Sequence, residues 1–157
     1  MMQINLYTDG AARGNPGPGG YGIVLEYPEK NYRKEFAEGF KHTTNNRMEL
    51  RAVIEGLKKL KTTDLQVTVY TDSRYVADAV EKKWVFGWER KQFKDRKNAD
   101  LWKELLEQIR MHSVKFVWIK GHNNHAQNER CDALAVAASK QQQLKEDIGF
   151  TESGPNE

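Results

Sequence analysis

An apolar residue followed by Tyr-Thr-Asp occurs twice in this chain, as Leu6-Tyr7-Thr8-Asp9 and as Val69-Tyr70-Thr71-Asp72. Each copy closes a short run of apolar or β-branched residues. Each then passes into residues that cannot continue a buried strand, Gly10 in one case and Ser73-Arg74 in the other. Two strands with the same ending predict parallel neighbours in similar register, and neighbouring strands lie about 4.8 Å apart. Asp9 and Asp72 would then stand side by side at the carboxyl end of a sheet, where open α/β sheets place their ligands. Two bare carboxylates at that range repel unless a proton or a cation lies between them. A metal site is one reading of the repeat. The other is that each Asp caps or turns the chain into the next element, a common task for this residue.

The rest of the chain supplies a frame for that pair. Met2, Ile4, Leu6 and Thr8 alternate toward Asp9 and predict a first strand. Gly10 to Gly22 holds six of the twelve glycines, with Pro16 and Pro18, and reads as a loop. It lacks the Gly-Lys-Ser/Thr ending of a phosphate-binding loop, so a tight hairpin link is expected rather than a phosphate cradle. Strands over Tyr21–Tyr27 and Tyr32–Phe40, joined by a turn at Pro28–Asn31, complete an antiparallel meander. A helix opens at Asn46, taken as its N-cap, and Leu50, Val53, Ile54, Leu57 and Leu60 keep helical spacing. Leu65–Asp72 is a fourth strand, and the strand–helix–strand order implies a crossover to a parallel neighbour. Helices follow over Ser73–Val80, over Ala99–Arg110 and from Glu129 to about Lys145. A fifth strand, Val114–Ile119, is apolar on both faces and is placed in the sheet interior. The expected fold is α/β, a five-stranded mixed sheet whose first three strands are antiparallel, flanked by helices. One domain spans residues 1–145, with a flexible tail at 146–157.

Charge is unevenly spread. The net charge is +3, but Lys82 to Lys97 carries seven basic residues against Glu89 and Asp95. Trp84, Phe86, Trp88 and Phe93 are interleaved with those cations, including Lys91 and Lys94. Cations and aromatic faces in alternation suit a nucleic-acid backbone and its bases. The plainer alternative is an amphipathic helix with Trp84 and Trp88 in the core. No apolar run approaches the roughly 20 residues of a membrane span. The single Cys131 excludes an internal disulfide, and the combination predicts a cytoplasmic protein.

Two further acids can join Asp9 and Asp72. Glu49 fits a capping box on Asn46, yet it lies in line with Ala52, Val53 and Gly56 and so faces the sheet. Asp132 falls in the first turn of the last helix, where the dipole favours an acid in any case. A cluster of carboxylates without Cys or His suits a hard ion such as Mg²⁺. Paired ions of that kind activate water and stabilise a leaving oxygen in phosphoryl displacement. Asn15, Asn45 and Asn46 are amides on loops near that place, fit either to bond a 2′-hydroxyl or to form turns. His122 is a proton-shuttle candidate in a polar loop, or an exposed histidine without a task. With His125 and Cys131 it does not make a zinc site, because the spacing is irregular and a fourth soft ligand is missing.

Taken together, Tyr7-Thr8-Asp9-Gly10, Gly14-Asn15-Pro16-Gly17-Pro18-Gly19-Gly20, Thr43-Thr44-Asn45-Asn46-Arg47-Met48-Glu49-Leu50, Tyr70-Thr71-Asp72-Ser73, Trp118-Ile119-Lys120-Gly121-His122 and Asn128-Glu129-Arg130-Cys131-Asp132 resemble bacterial ribonuclease HI. The resemblance runs from about Ile4 to Ala138, and six motifs in order make it specific. It implies an RNase H-like fold and an endonuclease that cuts the RNA strand of RNA–DNA hybrids, leaving 5′-phosphate and 3′-hydroxyl ends. It implies that Asp9, Glu49, Asp72 and Asp132 hold two Mg²⁺ ions, with Mn²⁺ as an alternative. It further implies that His122 assists proton transfer or product release, that Asn15, Asn45 and Asn46 lie along the RNA, that Thr44 and Asn98 help bind a DNA phosphate, and that Trp84 and Trp88 line a DNA channel. A monomer acting on the hybrid, without a membrane, is the expected assembly. Three departures stand out. Arg74 replaces a common glutamine and alters a contact to RNA, His42 replaces an arginine near the phosphate pocket, and the segment from Trp88 to Asn98 is short. Two rivals are a hybrid-binding module without activity and an integrase-like nuclease acting on DNA. The four acids argue against the first, and the asparagines and tryptophans against the second.

Overall fold

Strand β1 (Gln3–Ala12) lies at the centre of a five-stranded sheet ordered β3-β2-β1-β4-β5. The computed structural model describes residues 3–121 and 125–152. Strands β2 (Gly17–Tyr27) and β3 (Tyr32–Thr43) run antiparallel on one side of β1. Strands β4 (Gln66–Thr71) and β5 (Ser113–Trp118) run parallel to it on the other. The repeated motif falls in register as expected, with Leu6 opposite Val69 and Tyr7 opposite Tyr70. The two tyrosine rings stack at 4.6 Å, so the pairing is fixed by side chains as well as by the ladder.

The glycine-rich stretch is less of a loop than its composition suggests. Strand β1 continues to Ala12, β2 starts at Gly17, and Ala11 and Ala12 pair with Gly20 and Gly19. Gly20 and Gly22 serve helix packing. A Cβ at Gly22 would lie 2.2 Å from the carbonyl oxygen of Cys131 in α5 (Ala126–Ser139). The helix therefore beds onto the sheet backbone to backbone, with Cys131, Ala135 and Ala138 buried beneath it.

The opposite face is covered by α1 (Asn45–Lys58), with α2 (Arg74–Glu81), α3 (Trp84–Arg90) and α4 (Ala99–Ile109) around it. Leu50, Val53, Ile54 and Leu57 of α1 are buried with Ile4, Leu6, Val67, Val69, Leu101 and Leu105 in one hydrophobic cluster.

Several expectations are corrected. The N-cap of α1 is Thr44, not Asn46, because the Thr44 hydroxyl accepts from the Arg47 N–H at 3.2 Å. Helix α5 begins at Ala126 and ends at Ser139, so Asp132 lies in its second turn. Strand β5 is an edge, not an interior strand. The chain leaves β5 and returns across β1–β3 as α5, so no further strand pairs with it, and of its side chains only Phe116 is buried. The segment from 146 is not a loose tail as far as residue 152. Lys145 bridges to β3, and the Asp147 carboxylate, fully buried, takes hydrogen bonds from Thr43, Arg47 and Arg51. Arg47 is itself 1% exposed, so each charge is the condition for burying the other.

Candidate active site

The carboxyl ends of β1 and β4 deliver Asp9 and Asp72, and α1 delivers Glu49 to the same place. Carboxylate oxygens of these three residues lie within 4.8 Å of one another. Asp9 and Glu49 are each only 6% exposed, and Asp72 is half-buried. What allows α1 to come so close is Gly10. A Cβ there would lie 2.3 Å from the carbonyl carbon of Met48 and 2.5 Å from the Glu49 nitrogen. The Gly10 N–H is in turn shared by both acids, donating to Asp9 Oδ1 at 3.0 Å and to Glu49 Oε1. Because the helix starts at Thr44, Glu49 is released from capping and used across the sheet end.

Burial and mutual repulsion dominate the electrostatics. Desolvation, then the charge of Asp72, pushes the Asp9 carboxyl from an ordinary 3.8 to about 8, against a hydrogen bond with Glu49 that favours its charged form. Glu49 is raised well above the usual range by burial, then by Asp9 and Asp72. Asp132 stands near enough to Asp9 to raise it by charge and by a hydrogen bond. Of the four acids expected to meet, three form one tight group, and Asp132 lies outside it but near enough to act on Asp9. The donor set is all carboxylate oxygen, two of the acids being buried, which fits a hard divalent cation.

The other expected residues form a rim. Asn15 Oδ1 accepts from the Asn45 N–H at 3.0 Å, and Asn45 Oδ1 accepts from the Ala12 N–H at 2.6 Å. The β1–β2 hairpin is thereby tied to the start of α1, where Asn46 also lies. Thr44 and Asn98 are drawn to one corner by Arg47, whose guanidinium donates to Asn98 Oδ1 at 3.3 Å. Asn98 also donates to the Tyr75 hydroxyl at 3.0 Å. A pocket of about 260 Å³ opens there between Arg47, Arg96, Lys97, Asn98, Gly149 and Thr151.

The basic segment reaches this corner through Arg96 and Lys97, and its tryptophans lie further along it. Trp84 is 50% exposed, whereas Trp88 is half-buried against Trp102 and carries Arg96 over its ring at 4.2 Å. With Lys91 and Lys94 the two tryptophans line a groove of about 760 Å³. The core reading holds for Trp88, which is packed, and fails for Trp84, which faces solvent. His122 lies outside the described residues, and His125 precedes the first turn of α5.

Four residues take parts that the sequence alone did not assign to them. Gly10 breaks the symmetry of the repeat, standing where the second copy has Ser73. Arg47 and Asp147 meet across 100 residues, a distance over which no local pattern operates. Trp118 donates its indole N–H to the Asp72 carbonyl at 3.0 Å, and Arg74 lies over its ring at 3.9 Å.

A mixed sheet of this order, with acids at the carboxyl ends of its central parallel pair, defines an α/β protein of RNase H-like fold. The RNase H family model matches residues 1–140, and the chain belongs to that family. A ribonuclease H from Desulforamulus reducens is 52% identical over 153 residues, 94% of each chain. Ribonuclease HI of Helicobacter pylori is 52% identical over 135 residues, 86% of this chain and 92% of that one. Among solved structures, LC9-RNase H1, described as a type 1 RNase H with the type 2 active-site motif, superposes with a TM-score of 0.81 at 34% identity, covering 91% of this chain and 74% of that one. LC11-RNase H1 in complex with an RNA/DNA hybrid gives 0.59 at 27% identity, covering 86% and 95%. The enzyme class is accordingly ribonuclease H. Among the described residues no helix is long and apolar enough to cross a membrane.

Proposed function

We propose that this chain is an endonuclease that hydrolyses the RNA strand of RNA–DNA hybrids at the Asp9–Glu49–Asp72–Asp132 cluster. The observation that carries the reading is the convergence of three carboxylates within 4.8 Å, two of them buried, in an RNase H family chain. Two Mg²⁺ ions held there, or Mn²⁺ in their place, would supply an activated water and a counter-charge for the leaving oxygen, giving 5′-phosphate and 3′-hydroxyl ends. The protein's own part is to hold the acids. Gly10 fixes Asp9 and Glu49 through one shared N–H, and Asp72 and Asp132 approach from the next strand and from α5. The raised proton affinity of Asp9 and Glu49 means that these two acids hold protons until a cation takes their place.

Strand choice falls to the rim. Asn15 and Asn45 spend their carboxamide oxygens within the protein, which aims their NH₂ groups outward as donors to a 2′-hydroxyl, with Asn46 beside them. Asn98, Arg96 and Lys97 line the 260 Å³ pocket and suit a phosphate of the DNA strand, with Thr44, the cap of the helix that carries Arg47, assigned to the same phosphate. Trp84, Trp88, Lys91 and Lys94 suit that strand further on, by stacking and by charge. Arg74, stacked on the Trp118 ring that bonds the Asp72 main chain, is assigned to the RNA strand. His122 is the proposed proton carrier. A cytoplasmic monomer that needs no membrane completes the reading.

The test is an end-labelled RNA–DNA hybrid incubated with Mg²⁺, beside duplex DNA and duplex RNA. Cutting of the RNA strand of the hybrid alone, with 5′-phosphate products, is expected. Cutting of duplex DNA instead would overturn the reading, and binding without cutting would reduce the chain to a hybrid-binding module.

A further inference from the structure

Trp118 closes the edge strand, is 38% exposed, and yet is engaged at both its polar and its π surface. Its N–H satisfies the main-chain carbonyl of Asp72 at 3.0 Å. Its ring carries the Arg74 guanidinium at 3.9 Å, the shortest cation–ring distance among the described residues. Neighbours of Trp118 hold the same turn. The Ile119 N–H donates to the Thr71 carbonyl at 2.9 Å, and a Cβ on Gly121 would come within 3.0 Å of Asp72 Oδ2. Within the turn, the Thr71 hydroxyl accepts from the Ser73 N–H at 3.0 Å. Asp72 is the least buried of the three clustered acids and the one nearest the sheet edge. Whatever fixes this turn therefore fixes the corner of the cluster that the core holds least.

The geometry points to Trp118 as a positioning residue with two separable tasks. Its N–H sets the Asp72 main chain and so the third corner of the cation site. Its face holds Arg74 flat and charged at the mouth of that site, as a contact for a phosphodiester oxygen of the strand being cut. Arginine is suited to this because a stacked guanidinium keeps its N–H donors along the ring edge, free to bond an anion. The inference rests on the hybrid-nuclease reading above and adds a residue and a contact to it.

Three variants separate the two tasks. Trp118→Phe keeps the ring and loses the N–H, Trp118→Leu loses both, and Arg74→Gln loses the charge and the stack. Mn²⁺ binding is measured by calorimetry without substrate, KM and kcat on a labelled hybrid, and Tm as a control for folding. Trp118→Phe is expected to weaken Mn²⁺ binding about threefold or more, the worth of one ordinary hydrogen bond, while moving the hybrid KM by less than about twofold. Arg74→Gln is expected to raise KM about two- to fivefold and to leave Mn²⁺ binding as in the wild type. Trp118→Leu should show both effects, and adding Arg74→Gln to it should raise KM no further. Wild-type Mn²⁺ binding by Trp118→Phe, or fully additive KM effects in the double variant, would overturn the inference. So would changes that merely follow Tm. If the wild-type chain cut no hybrid at all, the underlying reading would fail instead, whatever these variants did.

Discussion

Asp9 is the residue at which folding and chemistry conflict most directly. Burial, then the neighbouring Asp72, lifts its carboxyl to about 8, so in the metal-free protein it is protonated over a range where an unfolded chain would have lost the proton. The folded state then binds more protons than the unfolded state, and stability falls as pH rises from about 4 to about 8. Glu49 shifts in the same direction for the same reasons. Calorimetric melting of metal-free protein should show Tm declining across that window, and added Mg²⁺ should restore more at the upper end than at the lower. Asp9→Asn keeps the shape without the charge. It should raise the metal-free Tm near pH 8 by about 2–4 °C while removing nearly all hybrid cleavage and leaving hybrid binding largely intact. A Tm that does not vary with pH, or substantial residual cleavage, would count against Asp9 as described. This residue was legible in the sequence because it is half of a repeated motif. Its partner in restraint, Gly10, was not, since close approach between a strand end and a helix start leaves no periodic trace.

At the scale of elements, the sheet order and the parallel pairing followed from the repeat and from the strand–helix–strand order. What did not follow was set by where the chain goes next. The apolar faces of β5 suggested an interior strand, but an edge position depends on the course of α5, which local pattern does not encode. The start of α1 was misjudged because Thr44, Asn45 and Asn46 are all good caps; Thr44 takes the task by accepting from the Arg47 N–H, while the Asn45 carboxamide is taken up by the Ala12 N–H. Thr44→Ala should cost about 1 kcal/mol in denaturant unfolding, whereas Asn46→Ala should cost no cap. In the basic segment, Gln92, Phe93, Asp95 and Asn98 all adopt left-handed backbone, and buried Phe93 pins the connection between α3 and α4. Lys91 and Lys94 remain exposed on its outer side. Replacing both with alanine should flatten the plot of log affinity for hybrid against log salt by up to about two phosphate contacts. An unchanged slope would place those lysines away from the nucleic acid.

Across the whole molecule, β3, α1 and α4 are joined to the segment after α5 through one charge cluster. Arg47 in the first turn of α1 pairs with Asp100 at the start of α4 and with Asp147 beyond α5, and Arg51 and Thr43 complete the set. Burial alone would raise the Asp147 carboxyl, but the bonds from Arg47 and Thr43 outweigh it and hold it below the ordinary range. Its contribution is present above that range and is lost as pH falls through its lowered value. Asp147→Ala would leave Arg47 buried without its closest partner and should destabilise the protein by about 3–5 kcal/mol in urea unfolding, far more than a change in a loose tail could. No reading of local sequence could have found this tie, because the tail looks polar and the arginine looks like one more helix residue. The acid cluster is the other long-range assembly, and it was legible because a motif ending in Asp9 recurs at Asp72 and because the six motifs stand in order.

That cluster is tested most directly by calorimetric titration of Mg²⁺ into metal-free wild type, Asp9→Asn, Glu49→Gln and Asp72→Asn. Saturable binding by the wild type and loss of most of it in each variant are the expected results, because residues from β1, α1 and the turn after β4 share one site. Binding that survives unchanged in any one of the three would mean that the acids do not act together.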